Sequence, residues 1–206
     1  MQIQDIYTQY NLMPQLITHQ LRVGAIATFI TQGWSDRELA HETVLSSLLH
    51  DMGNMAKFKL DKPVMPIENL AYWQAEQQRF WDTYGTEAHA ATYAILHELK
   101  LDKITKYLLA ESMFYDNRNV TRDSFVVAPR PAVVVLYGDL RVAIDGVVSL
   151  EERLVDLERR YGGVRPERAW ANDLEAYIAS LSCGDIRAIT EATVAPLFDE
   201  LLTLTV

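Results

Sequence analysis

The amino-acid sequence predicts an all-α protein, and three observations carry that expectation. Apolar residues recur at helical spacing, capping residues, glycines and prolines punctuate them as helix starts and stops do, and strand signals are thin. No repeat, low-complexity tract or long flexible linker divides the 206 residues, so they read as a single domain, 1–206.

From Leu12 the apolar positions run Leu16, Val23, Ala27 and Ile30, one face of a helix. Ser35 with Glu38 makes a capping box for the next helix, and Gly53 is placed to end it. A loop holding Pro63 and Pro66 leads to an aromatic-rich segment in which Leu70, Trp73, Phe80 and Tyr84 share a face, closed by Gly85. Thr86 is placed to cap an alanine-rich helix to about Leu99, and Asp102 to cap another to about Phe114. Tyr115 to Pro131 shows little periodicity and reads as a long loop. Pro131 suits the opening of a helix that stops near Gly146; Val133 to Tyr137 is β-branched in composition, but its context favours this helix. Ser149 with Glu152 forms a second capping box, Gly162-Gly163 breaks the chain, and Pro166 and Gly184 bracket a further helix. The tail from Asp185 reads as helical with a kink at Pro196.

Bulk properties narrow the function classes. A net charge of −9 argues against a partner held by phosphate neutralisation, so long nucleic acids are not expected, whereas a nucleotide needs only a few local cations or a metal ion. Cys183 is the only cysteine, so no intrachain disulfide can form, which suits a cytoplasmic location. The N-terminus lacks the basic-then-apolar pattern of a secretory signal, and no apolar run approaches the roughly 18–20 residues that cross a bilayer. The chain reads as soluble and away from membranes.

Three polar features occupy places where the pattern asks for apolar residues. His19 lies on the stripe of Leu16, Val23, Ala27 and Ile30. Asp139 falls on the face of Ala132, Val135, Leu136, Val142 and Ala143, and an ionised carboxylate aimed into a core is costly unless paired or metal-bound. His50-Asp51 ends a strongly apolar helix just before Gly53. Imidazole and carboxylate together suit a divalent metal such as Mn, Fe, Co, Ni or Zn, and two of each leave coordination positions for water and substrate. Each feature also has a plain structural reading. A core His is usually just hydrogen-bonded, a His at a helix end favours the dipole, and Arg22 or Arg141 offers Asp139 a buried ion pair.

Taken together, these residues resemble the HD superfamily of metal-dependent phosphohydrolases. The first element is His19-Gln20-Leu21-Arg22-Val23, the doublet lies in Leu48-Leu49-His50-Asp51-Met52-Gly53-Asn54, and the last is Tyr137-Gly138-Asp139-Leu140-Arg141. The resemblance covers about Leu12 to Gly146 and extends to nothing after it. It implies an HD-type helical bundle over about 12–146 with additional C-terminal helices over about 147–206. It also implies metal ligands His19, His50, Asp51 and Asp139, and hydrolysis of a phosphomonoester or phosphodiester in a nucleotide or other small phosphorylated metabolite. His89 sits where many members carry another His, and would bind phosphate, protonate the leaving oxygen or ligate a second metal.

Two departures from the family pattern matter. The region where dinuclear members carry further His reads Glu111-Ser112-Met113-Phe114-Tyr115, which favours one metal per chain, its identity open among Mn, Fe, Co, Ni, Zn and Mg. Asn54 stands where a general-base carboxylate is found in some members; it can orient a water but not take its proton. That work would fall to His89, Asp51 or the metal, or else turnover is weak and the chain is a metal-binding regulatory or ligand-sensing domain. Lys57, Lys59, Arg118, Arg122 and Arg130 would clamp phosphate if their loops fold over the metal. The aromatic segment from Tyr72 to Tyr84, which includes Trp81, packs a core more readily than it stacks a base, and His41 and His97 read as surface residues. A homodimer is compatible with a helical domain of this size, and no residue specifies one.

Overall fold

The computed structural model of the chain describes residues 1–61, 63, 66–116 and 119–206, and its architecture is all-α. The helices are α1 (Ile3–Gln9), α2 (Pro14–Thr31), α3 (Arg37–Leu49), α4 (Leu70–Tyr84), α5 (Ala88–Glu98), α6 (Asp102–Asp116), α7 (Arg122–Val127) and α8 (Arg130–Asp139). A two-stranded hairpin follows, β1 (Val142–Ala143) and β2 (Gly146–Val147). Then come α9 (Leu150–Tyr161), α10 (Ala171–Leu181), α11 (Glu191–Val194) and α12 (Phe198–Leu202), with short 3₁₀ turns between them. Among the described residues no helix is long and apolar enough to cross a membrane.

The centre of the molecule is α2, α3, α6 and α8. Leu16, Val23, Ala27 and Ile30 are all buried, as the stripe requires. Close helix contact is set by small residues: a Cβ on Gly24 would stand 2.5 Å from the Leu48 side chain, and one on Gly138 would stand 2.9 Å from Val23 Cγ1. α8 lies antiparallel to α2, since Gly138 near its end meets Val23 while Arg130 at its start lies over the Trp34 ring just beyond the end of α2. α6 runs alongside α3 in the same direction, with Lys103 and Tyr107 both reaching Glu42. Three helices, α3, α6 and α8, therefore end together beside the N-terminal half of α2.

Several boundaries differ from expectation, each for a local reason. The N-cap of α3 is Asp36, not Ser35; its carboxylate accepts the Leu39 N–H at 3.0 Å. Glu87, not Thr86, caps α5, accepting from the amides of His89 and Ala90. The segment read as a long loop contains α7, because Phe125 is fully buried against Phe114, Trp170 and Tyr177. α8 stops at Asp139 and not near Gly146, so Val142 and Ala143 belong to the hairpin and not to its face. Pro166 opens only a 3₁₀ turn, with α10 starting at Ala171, and the tail from Asp185 is a series of short turns and helices, broken before Pro196. Helix α1 carried no sequence expectation; its Tyr7 hydroxyl donates to Leu48 O at 2.6 Å.

Other expectations match. Gly85 closes α4 with φ +80°, a conformation that favours glycine, and Leu70, Trp73, Phe80 and Tyr84 pack against the core. Ser149 and Glu152 form their reciprocal capping box on α9. Ser149→Ala is expected to lower stability by about 1 kcal/mol, visible as a reduced urea midpoint with unchanged slope.

Candidate metal centre

His19 lies on α2, His50 is the C-cap of α3, Asp51 follows it, and Asp139 is the last residue of α8. The arrangement of the helices brings all four together, with one ligand atom from each within 4.8 Å of every other. His19 Nε2 stands 3.2 Å from Asp139 Oδ1, 3.5 Å from Asp51 Oδ2 and 3.4 Å from His50 Nε2. His50 Nε2 is 3.6 Å from Asp51 Oδ2 and 3.8 Å from Asp139 Oδ1. The site is open on one side: the side chains of His19, Asp51 and Asp139 keep 21%, 19% and 24% of their exposure, while His50 is buried. Asp139 thus sits at a mouth in the bundle and not deep in its core.

The donor set fits a divalent cation. Four donors about 2.1 Å from one ion lie roughly 3.0–3.4 Å apart in octahedral or tetrahedral geometry, close to the separations found here. Two carboxylates and two imidazole nitrogens facing one point are all acceptors in their metal-binding forms, and need protons or a cation between them. His50 Nδ1 stands 2.8 Å from Ser47 O; donating its proton there leaves Nε2 as the lone-pair nitrogen aimed at the cluster. The C-termini of α3, α6 and α8 add the negative ends of three helix dipoles.

The plain alternative for Asp139 does not hold among the described residues. Arg22 is bound side-on to Glu191, at 2.8 to 3.0 Å. Arg141 is buried and donates to the Tyr137 hydroxyl and to the carbonyls of Val148, Ile186 and Ile189. Asp139 is left to the two imidazoles and to the Tyr115 hydroxyl, which donates to Oδ2 at 3.1 Å.

Around the four lie residues with supporting contacts. The Asn54 side-chain amide donates to Asp51 Oδ2, which helps to hold that carboxylate in the cluster. Gln20 is fully buried; its carbonyl meets the Asp51 N–H at 3.4 Å and its amide nitrogen has no partner among the described residues. Gly53 N–H donates to Thr92 Oγ1 at 2.9 Å, and a Cβ on Gly53 would stand 2.0 Å from Ala88 O. Gly53 therefore serves close packing of α5, not the termination of α3, which ends at Leu49.

His89 is not among the four converging residues; it is half-buried near the start of α5, its ring 6.4 Å from that of Tyr93. Glu87, with its carboxyl below the usual range through the Ala90 and His89 amides, also feels the charges of His89 and Lys57. Lys59 and Arg122 are exposed. Arg130 is a correction: it lies at the far end of α8, about 14 Å along the helix from Asp139, over Trp34. Arg118 lies outside the described residues. His41 and His97 are exposed, as expected.

No family model, curated protein or solved structure matches the chain. Its function must be read from the cluster itself.

Glu111 and Tyr115 are not among the expected site residues, yet both adjoin the cluster from α6, which runs past Phe114 and takes in Tyr115. The signal was available, since Glu111 falls in the stripe Ile104, Leu108, Tyr115 as His19 falls in its own. Burial pushes the Glu111 carboxyl up to about 8, with His50 pulling the other way. For His50, burial lowers the pKa but is outweighed by Asp51, Asp139 and Glu111, giving about 9. Burial would also raise Asp139, and the hydrogen bonds from His19 and His50 hold it well below the carboxylate range instead.

Raised folded-state pKa values mean that the metal-free native chain holds protons the unfolded chain releases. The resulting stability is complete below the unfolded values, 4.5 for Glu111 and 6.5 for His50, and is lost as pH rises through about 8 and 9. The urea midpoint of chelator-treated protein is expected to fall between about pH 6 and pH 9, and a divalent cation to reduce that fall. A flat or rising midpoint would contradict the assignment.

Proposed function

We propose that this chain is a metal-dependent phosphohydrolase of the HD type, acting on a small phosphorylated metabolite or nucleotide. One observation carries the reading: His19, His50, Asp51 and Asp139, spread over three segments of sequence, present one ligand atom each within 4.8 Å of the others at a solvent-open mouth. These four residues would hold one divalent cation. When bound, such an ion supplies Lewis-acid polarisation of a phosphoryl oxygen and makes water a better nucleophile at neutral pH.

The chain's own residues divide the remaining work. Asn54 holds Asp51 in place, and the Ser47 carbonyl holds the His50 tautomer. Asp51 has its carboxylate oxygen in the cluster, and in this reading it also receives a proton from the attacking water. His89 and Lys57, both within electrostatic reach of Glu87 on segments flanking Asp51, would meet the phosphate, with His89 protonating the leaving oxygen. Lys59 and Arg122 would act only by closing over a bound substrate.

A second reading is a metal-holding, ligand-sensing domain without turnover. The Asn54 amide on Asp51 favours it, since no carboxylate stands there as a separate base. Elemental analysis of purified protein, followed by a screen of phosphomonoesters, phosphodiesters and nucleotides with added Mn²⁺ or Co²⁺, tests both. Metal at one per chain with turnover absent from Asp51→Ala supports the hydrolase; metal without turnover supports the sensing domain. Absence of bound metal after reconstitution would overturn both.

A further inference from the structure

We propose that Tyr115 is a positioning residue for the cation, holding Asp139 so that one carboxylate oxygen is presented to the ion and the other is withheld. This rests on the metal-site reading above and goes beyond it, because α6 contributes none of the four ligands.

The two oxygens of Asp139 have separate partners. Oδ1 faces His19 Nε2 at 3.2 Å and His50 Nε2 at 3.8 Å, whereas Oδ2 accepts the Tyr115 hydroxyl at 3.1 Å. Asp139 is the last residue of α8 and a quarter of its side chain remains exposed, so its own helix does little to fix the plane of the carboxylate. The hydroxyl that fixes it comes from a different helix, across a sequence separation of 24 residues. Glu111, one turn earlier on α6, is buried and lies close enough for its charge to act on the same hydroxyl.

A carboxylate with its second oxygen engaged binds an ion through one oxygen. With Asp139 presenting only Oδ1, the place its second oxygen would take is left for water or substrate. Released from Tyr115, Asp139 is free to rotate, either losing its orientation or taking up an open position with Oδ2. Both outcomes alter the ion's surroundings without removing a ligand, which is how groups behind the ligands tune a metal site.

The test is Tyr115→Phe, which removes one oxygen and keeps the packed ring. Tyr84→Phe serves as control, since its hydroxyl meets Glu98 and not the cluster. Mn²⁺ affinity by competition with a chromogenic chelator, the visible spectrum of the Co²⁺ form, and the urea midpoint of the metal-free form are measured on each. Tyr115→Phe is expected to bind Mn²⁺ about tenfold more weakly and to show an altered Co²⁺ spectrum, with Tyr84→Phe unchanged in both. Affinity within about twofold of the wild type, with a superimposable Co²⁺ spectrum, would overturn the role of Tyr115 while leaving the metal site standing. A wild-type chain that binds neither ion would overturn the site and this assignment together.

Discussion

Asp139→Ala is expected to weaken divalent-cation binding by more than about 100-fold, beyond the loss usual for a group that only supports a ligand, and to abolish phosphate-ester turnover with it. The reason is geometric as much as electrostatic. Oδ1 is the atom through which α8 reaches the cluster, and Asp139 is the only carboxylate, imidazole or thiol in the sequence of α8. Its loss leaves His19, His50 and Asp51, and halves the negative charge facing the ion. Asp139→Asn keeps the shape and removes the charge, but it has one acceptor oxygen where Asp139 has two, so an amide NH₂ faces either the cluster or the Tyr115 hydroxyl. Isothermal titration with Mn²⁺ checks the series, with Asn expected between Ala and the wild type. An Asp139→Ala protein that titrates like the wild type would show that the four residues do not share an ion.

Gly53→Ala is expected to be the most damaging small substitution near the site, lowering stability by about 3 kcal/mol or more. The backbone φ of Gly53 is −86°, open to any residue, so the penalty is entirely one of space. An added Cβ would stand 2.0 Å from Ala88 O and 2.6 Å from Thr92 N, both backbone atoms of α5, which cannot rotate away as a side-chain end would. Either α5 moves off, breaking the Gly53 N–H bond to Thr92 Oγ1, or the 3₁₀ turn from Asn54 to Lys57 shifts and carries the Asn54 amide away from Asp51. Thermal unfolding is expected to show a midpoint lowered by roughly 6–12 °C for a chain of this size, with metal affinity reduced in parallel. A midpoint within a degree of the wild type would mean that α5 is not packed as described.

How much of this was legible in the sequence depended on the kind of signal. His19 and Asp139 announced themselves as polar residues at apolar positions of a stripe, and the stripe is a local property of the chain. Glu111 gave the same signal against Ile104 and Leu108, but glutamate is so common on exposed helix faces that one instance inside an amphipathic pattern carries little weight. Tyr115 gave none, because a tyrosine on a buried face is unremarkable until a neighbour's carboxylate is seen beside its hydroxyl. The hairpin after Asp139 was hidden by β-branched residues that continue the apolar run of α8. Its two turn residues are Ile144 and Asp145, with Gly146 already paired to Ala143. In the sequence Gly53 reads as a stop, because glycine suits helix ends and close contacts alike, and only the nearness of α5, distant in sequence, separates a terminator from a contact point.

The side-on pairing of Arg22 with Glu191 bears on the division of the chain at about residue 146. Arg22 stands one turn along α2 from His19, and its counter-ion lies far downstream, where Glu191 also accepts the Val147 amide at 3.0 Å. Trp34, just past the C-terminal end of the same helix, donates to Leu181 O at 2.9 Å. The downstream helices hold the helix that carries His19 near its middle and just past its C-terminal end. A chain ending near residue 146 would lose both contacts, and with them part of what holds the helix that carries His19 in place.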